Sequence, residues 1–522
     1  MLLFSHWLSE SKKTIRLWRF QDWAVLITIL FGSFFRLYNL ADSLQFLGDQ
    51  GRDALVVARI FKEFDPVFIG PVTSVGNMYL GPLYYYFMVP WLWLSYPSPL
   101  GPQYAIAFVG ILTNWLVWVL GKRMVGKVPA AIAAALFAFS HVVVEYTRFS
   151  WNPNPIPLVS LLMMYSTFRA YKGAYWHWAL VGLYGSVILQ LHYMAALTGI
   201  AALLVWLYQF WKARTDRKAV NEMVKYAVLA GFILVLSFTP LALFDYRNGW
   251  INTKAFSELV TGSENFGAAV ESDQVSEIIQ TLKESHGRSM HILFEVFIGK
   301  QRTLNTALVA LYLFITSGVL LSKKGRTVLK DAPGLLIVLV WFFIGVFGTS
   351  VYKHTVFDHY IGFEYPVAAL LSGFVLYQLV KLHRVMVALV LAGLCMFVVY
   401  NVPKMPLNSA GWSIYDMEHV SMAIADKVAL GEKYNIVLFS HSKDLYGMNY
   451  RYYLETTKKQ PVREQNWTEA DTLFVIDEER TGRDVLSAPV HEIVTFPSKQ
   501  PVDMFEIDGV QVWVLRAPKT QD

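Results

Sequence analysis

Asp49 is the carboxylate whose neighbours best equip it for chemistry. It stands in Phe46-Leu47-Gly48-Asp49-Gln50-Gly51-Arg52-Asp53, flanked by glycines and three residues before a guanidinium. A carboxylate beside a cation in such a loop is suited to acid–base chemistry. A second polar stretch, Glu145 to Pro157, brings Arg148, Trp151, Asn152 and Asn154 together at the end of an apolar run. Several polar side chains aligned at a lipid-water boundary read as a ligand surface. A third, Tyr352 to Tyr360, contains Lys353, His354 and His359, donors for charge-assisted bonds to a phosphate, and ends in Tyr360. Gln190-Leu191-His192-Tyr193 closes another apolar run. Each stretch also has a plainer reading. Asp49 or Asp53 would cap the helix that follows. Trp151 would be an interfacial anchor beside a proline-stiffened entry, Lys353 would snorkel, and His192 would bond a neighbouring helix.

Other chemistries lack their residues. No G-x-x-x-x-G-K-[ST], G-x-G-x-x-G, G-x-S-x-G, H-E-x-x-H or D-x-D occurs, which argues against an ATP-driven pump or a nucleotide-sugar enzyme. The single cysteine, Cys395, lies in an apolar run, so an internal disulfide and a thiol-rich zinc site are both excluded. Asn466-Trp467-Thr468 is a glycosylation sequon by pattern alone.

The elements that must hold these residues are mostly membrane spans. Of 522 residues 55% are hydrophobic and 16% charged, against about 25% charged in soluble domains. The deficit is confined to the first 402 residues, because 31 of the last 120 are charged. Roughly eleven apolar runs approach the 20 residues that cross a hydrocarbon core. They are Trp23 to Tyr38, Tyr104 to Leu120, Val128 to Val144, Ile156 to Phe168, Trp176 to Leu191, Ala195 to Trp211, Tyr226 to Phe244, Leu304 to Leu321, Pro333 to Val351, Ile361 to Val380 and Val385 to Val402. Pro82 to Leu94 is shorter and is read as a re-entrant or interfacial helix. With it not spanning, 20 of the 32 basic residues before Pro403 fall in short cytoplasmic segments, as the positive-inside rule favours. The N-terminus is then cytoplasmic with a retained anchor and no removed signal, and the polar stretches Ala41 to Gly81, Glu145 to Pro155, Asp245 to Arg302 and Tyr352 to Tyr360 face outward with the tail. Leu55, Ala58, Phe61 and Phe64 give the stripe of an amphipathic surface helix after Asp49.

The tail carries a net −5 and the membrane region +11, so the basic balance reflects topology and not nucleic-acid binding. Asn435 to Phe439, Thr472 to Ile476, Glu492 to Phe496 and Gln511 to Leu515 read as short strands. The expected architecture is an all-α polytopic membrane protein, residues 1–402, with a small C-terminal soluble α/β or α+β domain, residues 403–522.

Gly48-Asp49-Gln50-Gly51-Arg52-Asp53, Gly81-Pro82-Leu83-Tyr84-Tyr85-Tyr86, Gly121-Lys122-Arg123 and Arg148-Phe149-Ser150-Trp151-Asn152-Pro153-Asn154 occur in that order. Together they resemble the polytopic glycosyltransferases related to protein O-mannosyltransferases and the lipid A aminoarabinose transferase, over about residues 20–400. The resemblance implies a polyprenyl-phosphate-linked sugar donor, a protein, lipid or cell-envelope glycan acceptor, and a catalytic acid at Asp49. It also implies that Pro82 opens a juxtamembrane helix and that Asp358-His359-Tyr360 lies near the donor phosphate. Many relatives carry a second acid in the second outer loop, where Asn152 and Asn154 stand here.

The resemblance therefore implies transfer to a hydroxyl on the outer face of the plasma membrane, expected to be inverting with Asp49 as general base. Arg52, Arg148, Lys353, His354 and His359 are the candidates for phosphate stabilisation. Asp53, Tyr85, Trp151, Asn152, His192, Tyr193 and Tyr360 complete the binding set. No metal ligands are assigned, and a divalent cation is left open. A lipid-linked sugar transporter or flippase is the rival. It calls for ionisable groups at the midplane or inverted repeats, whereas the polar groups here collect at one face. A tail that merely binds, anchored by the rest, would need far fewer spans.

Overall fold

The computed structural model describes residues 20–73, 78–261, 274–299, 318, 332–352, 355–409, 411–440, 444–479 and 485–518. Lys353, His354 and nearly all of the expected span Leu304 to Leu321 lie outside the described residues. Helices follow the apolar runs. They are α1 (Phe20–Leu37), α2 (Gly48–Lys62), α3 (Leu83–Ser95), α4 (Leu100–Met124), α5 (Lys127–Phe139), α6 (His141–Glu145), α7 (Ile156–Tyr171) and α8 (His177–Leu191). There follow α9 (Leu197–Ala213), α10 (Arg217–Ser237), α11 (Thr239–Arg247), α12 (Ile251–Thr261), α13 (Gln274–Met290), α14 (Leu335–Val351), α15 (Tyr365–Leu382) and α16 (Arg384–Asn401).

Five helical segments among the described residues are long and apolar enough to cross a membrane: Leu100–Met124, Tyr193–Ala213, Arg217–Ser237, Asp358–Leu382 and Arg384–Lys404. Helices α5, α8 and α14 are apolar but shorter. Close approach in the bundle uses small residues. At Gly373 of α15 a Cβ would stand 2.2 Å from the Pro129 carbonyl of α5.

Two boundaries differ from the apolar runs. Val128 to Val144 breaks at Ser140, whose Oγ accepts from the Val143 amide and donates to the Val296 carbonyl, so α5 ends and α6 begins there. The α10 helix begins nine residues before Tyr226, at Arg217, because Asp216 accepts from the Lys218 and Ala219 amides and caps a first turn too polar for a hydropathy window to include.

Helix α3 has 13 residues, about 20 Å, too short for a hydrocarbon core of about 30 Å. It buries Tyr84, Tyr85, Met88 and Leu92 and lies against α2 and α4. Helix α2 buries Leu55 and Ala58 as the stripe requires, but Phe64 is 86% exposed because the helix stops at Lys62 and Phe64 takes a positive φ.

The C-terminal domain comprises α17 (Ile414–Lys427), β1 (Tyr434–Phe439), α18 (Met448–Thr456), β2 (Thr472–Asp477), β3 (Pro501–Ile507) and β4 (Val510–Arg516), with strand order β1-β2-β4-β3. The β1–β2 pair is parallel and the other two are antiparallel. Alternate residues cover the two faces. Ile436, Leu438, Phe474 and Ile476 share a core with Val420 and Ile424 of α17, while Val437, Leu473 and Val475 pack on Val485, Val490 and Ile493. Glu492 to Phe496 is therefore not a strand. It overlaps a helical turn, His491–Thr495, that presses Ile493 onto the back of the sheet. The remaining strand is β3, joined to β4 through Asp508-Gly509, both at positive φ as a two-residue hairpin turn demands.

This domain docks on α2 through α18. Arg59 of α2 donates to Glu455 at 2.5 and 3.1 Å and to Glu464 at 3.2 Å, Arg463 meets Glu63 at 2.5 Å, and Phe46 packs edge-on against Tyr452 and Tyr453. Burial pushes the Glu464 carboxyl up, but Arg59 and the remaining partners outweigh it and hold Glu464 below its ordinary value. A carboxylate depressed in the docked state stabilises docking above its free value, about 4.3, and that contribution disappears as pH falls through the docked value. Acidification through this window is expected to speed proteolytic cleavage between the two regions in the wild type. An Arg59→Ala variant should be cleaved faster already at neutral pH and show a weaker pH dependence.

Candidate active site

Helix α2 places its first-turn residues between the membrane bundle and the soluble domain. Leu47 holds the N-cap position, and no side chain caps the helix. Asp49 is thus free of the capping duty its position invites. Its side chain is 54% exposed and accepts from Arg52 Nη1 at 2.8 Å. Arg52 Nε and Nη2 donate to Asp53 Oδ1 at 3.0 and 2.8 Å, and Tyr85 Oη donates to the same oxygen at 3.2 Å. Asp53 is 1% exposed. Burial pushes its carboxyl up, and the Arg52 guanidinium pulls it back. Asp53 and Tyr85 therefore grip Arg52 from behind, and Arg52 presents Nη1 to Asp49.

Two cavities meet here. The first, about 320 Å³, is lined by Asp49, Arg52, Trp151, Asn152, His192, Tyr193, His359 and Tyr360, with Val72, Met78, Leu80 and Met194 on its apolar side. The second, about 690 Å³, lies between the membrane region and the soluble domain and includes Gln50, Glu145, Tyr146, Asp444 and Tyr446. Asp49, Arg52 and Trp151 belong to both walls.

In the first cavity the Trp151 and His359 rings meet at a tilt of 51° with centroids 4.4 Å apart, and the His192 ring lies 4.7 Å from that of Tyr360. Asn152 Nδ2 donates to the Leu191 carbonyl at 2.6 Å and so ties the second outer loop to the end of α8. Tyr193 Oη donates to the Tyr79 carbonyl at 2.6 Å, while the Tyr79 amide donates to Asn252 Oδ1, pinning the rim. His192 accepts from the Met194 amide at 3.2 Å. Burial lowers its pKa to about 3, so it is a neutral imidazole at physiological pH and brings no charge to a phosphate.

Arg148 lines neither cavity. It is buried, and it donates to the carbonyls of Phe35 at 2.5 Å, Tyr38 at 2.9 Å and Asn39 at 3.3 Å and to Ser43 Oγ at 2.5 Å. It closes the chain leaving α1. Arg148→Ala strands those acceptors, and we expect it to cost roughly 2–5 kcal/mol of stability. Thermal unfolding in detergent should show the loss, with donor affinity of the surviving folded fraction unchanged.

Glu145, at the start of the loop that carries Asn152 and Asn154, places a carboxylate in the wall of the second cavity. Burial pushes its carboxyl up. Asp444 is likewise pushed up by burial, with Asp49 adding to the shift against the pull of the Met448 and Tyr446 amides. Glu145 was legible as the polar end of an apolar run. Asp444 and Tyr446 carry no local signal, because only docking brings them to Asp49. Among the described residues no group of three or more His, Cys, Asp or Glu side chains is arranged to hold a metal ion.

The helical bundle, its polar loops and the C-terminal domain converge on the cavities that Asp49 joins. The family model described as dolichyl-phosphate-mannose-protein mannosyltransferase matches residues 102–241, from α4 to α11, with Asp49 before the matched segment. ArnT from Cupriavidus metallidurans, bound to undecaprenyl phosphate, shares the fold with a TM-score of 0.56 over 95% of this chain and 98% of its own, at 13% identity. Its apo form gives 0.52 over 94% and 97%, also at 13% identity. An oligosaccharyltransferase from Archaeoglobus fulgidus, in complex with zinc and sulfate, gives 0.54 over 87% of this chain and 67% of its own, at 12% identity. No curated protein matches the sequence. The chain is similar to the polyprenyl-phosphate-dependent membrane glycosyltransferases in fold and, across residues 102–241, in sequence.

Proposed function

We propose that this protein transfers a sugar from a polyprenyl-phosphate donor to a hydroxyl acceptor, with inversion, on the outer face of the membrane. The observation that carries this reading is Asp49 at the junction of two cavities, uncapped and beside a cation fixed by a buried carboxylate. The first cavity joins Arg52 and a cluster of rings to an apolar wall, which suits a lipid-linked phosphate sugar. The undecaprenyl phosphate held by ArnT supports the same donor class.

The acceptor enters from the second cavity. Its hydroxyl oxygen attacks the anomeric carbon, the carbon–oxygen bond to phosphate breaks with its electron pair leaving on the phosphate, and the acceptor proton passes to Asp49. Arg52 faces the departing phosphate. Lys353 and His354 remain candidates for the same phosphate, while His359, its pKa lowered by burial to about 4, would meet it as a neutral hydrogen-bond donor like His192.

Purified protein in lipid, given a panel of radiolabelled polyprenyl-phosphate sugars, should release or transfer label from one of them, and Asp49→Ala should not. Movement of the intact lipid across the bilayer, unchanged in the variant, would instead make the protein a flippase.

A further inference from the structure

The donor cavity accounts for one substrate, and the second cavity has its own chemistry. We propose that the acceptor bound there is a carbohydrate, neutral or amino-bearing and not anionic, with the soluble domain forming one wall of its site. This rests on the transferase reading above and names the acceptor class for the same centre.

At about 690 Å³ the cavity is within the size of ligand sites, about 300–1,000 Å³. One wall is aromatic. Tyr146 and Phe149 have centroids 6.0 Å apart, Phe149 and Trp151 6.1 Å, and Tyr446 adds a half-exposed ring from the soluble domain. Such rings give the flat C–H face of a sugar an apolar surface to stack on at low conformational cost.

Its charged groups are mostly carboxylates, set beside the Gln50 amide, the Trp151 indole and the Tyr146 and Tyr446 hydroxyls. Asp49, Glu145 and Asp444 line the cavity, and the single cation among its described lining residues, Arg52, is already bonded to Asp49 and Asp53. Gln50 lines it as well, 7% exposed, with an Oε1 that has no partner among the described residues. Sugar hydroxyls are donors that satisfy such a lining, and an ammonium satisfies it better. A phosphorylated or uronic acceptor would instead meet three carboxylates with its own charge.

The test uses the full chain in lipid nanodiscs and reads binding without donor, so that an absence of turnover does not hide the result. The probes are an N-acetylglucosamine trisaccharide, its de-N-acetylated triamine, a galacturonic acid trisaccharide and a serine/threonine peptide, followed by saturation-transfer NMR and titration. We expect the two glucosamine-based trisaccharides to bind and the uronic sugar and peptide not to. Tyr446→Ala should weaken both sugars at least tenfold, and Glu145→Gln should weaken the triamine tenfold more than the neutral trisaccharide. The proposal is overturned if neither sugar binds at millimolar concentration, if the peptide or uronic sugar binds as well as they do, or if both variants leave sugar binding unchanged. Loss of the transferase reading is a separate result, seen as donor that stays intact in the wild type whatever binds the second cavity.

Discussion

Asp49→Asn is expected to lower sugar transfer by about a hundred- to ten-thousandfold, the usual weight of a positioned general base. The substitution keeps the shape of the side chain and an oxygen for Arg52 Nη1, so α2 and the two cavities should persist. It removes only the proton acceptor. Single-turnover transfer with donor and acceptor both saturating isolates that step, and donor binding should be unchanged or tighter because Arg52 loses a competing charge. Asp53→Asn is the informative contrast. Asp53 touches neither cavity and acts by holding Arg52 through Nε and Nη2, so its loss should weaken donor binding, and a lysine-sized cation at position 52 should not restore it. Transfer retained in Asp49→Asn would remove Asp49 from the role of base.

Gly51→Ala should be nearly as damaging, for a reason that has nothing to do with proton transfer. In an ordinary helix this change stabilises by about 0.5–1 kcal/mol. Here a Cβ on Gly51 would lie 2.4 Å from the Asn449 amide nitrogen and 2.5 Å from its Cα. These are backbone atoms of α18 and cannot step aside as a side-chain tip would, so α2 and α18 must separate. Overpacking of this kind costs about 1–3 kcal/mol, and a shift near 1 Å at a reacting group can cost about a hundredfold in rate. We expect transfer to fall at least tenfold, with limited proteolysis releasing the soluble domain faster than in the wild type. Gly393→Ala, in α16 with nothing within 4 Å of the added carbon, is the matched control and should change neither. Unaltered docking in Gly51→Ala would show that α18 does not set the position of α2.

What the residues alone determine about this protein is its membrane region and its first carboxylate. Long apolar runs must become helices, because lipid offers their backbone no other partners. The Asp49 loop is distinctive because a carboxylate, two glycines and an arginine fall within five residues. The shortness of α3 was also readable, since its apolar run is itself only about 13 residues.

The tertiary structure decided the rest. Arg148 looked like a phosphate ligand, but its guanidinium is spent on carbonyls left by the end of α1, a demand created only by packing. Asp53 was turned inward by its place on the buried side of α2 and became the brace of Arg52. In the soluble domain, Glu492 to Phe496 and Pro501 to Ile507 are similar β-branched and apolar runs. Only pairing with β4 made the second a strand and left the first a turn against the sheet. The second cavity was the least legible. Asp444 and Tyr446 stand some 300 residues from Glu145 and Tyr146 in the chain, and they share a wall because α18 docks on α2 through Arg59 and the bare face of Gly51. Local patterns report what a segment buries, whereas a site built across a docking interface exists only once two independently patterned regions have met.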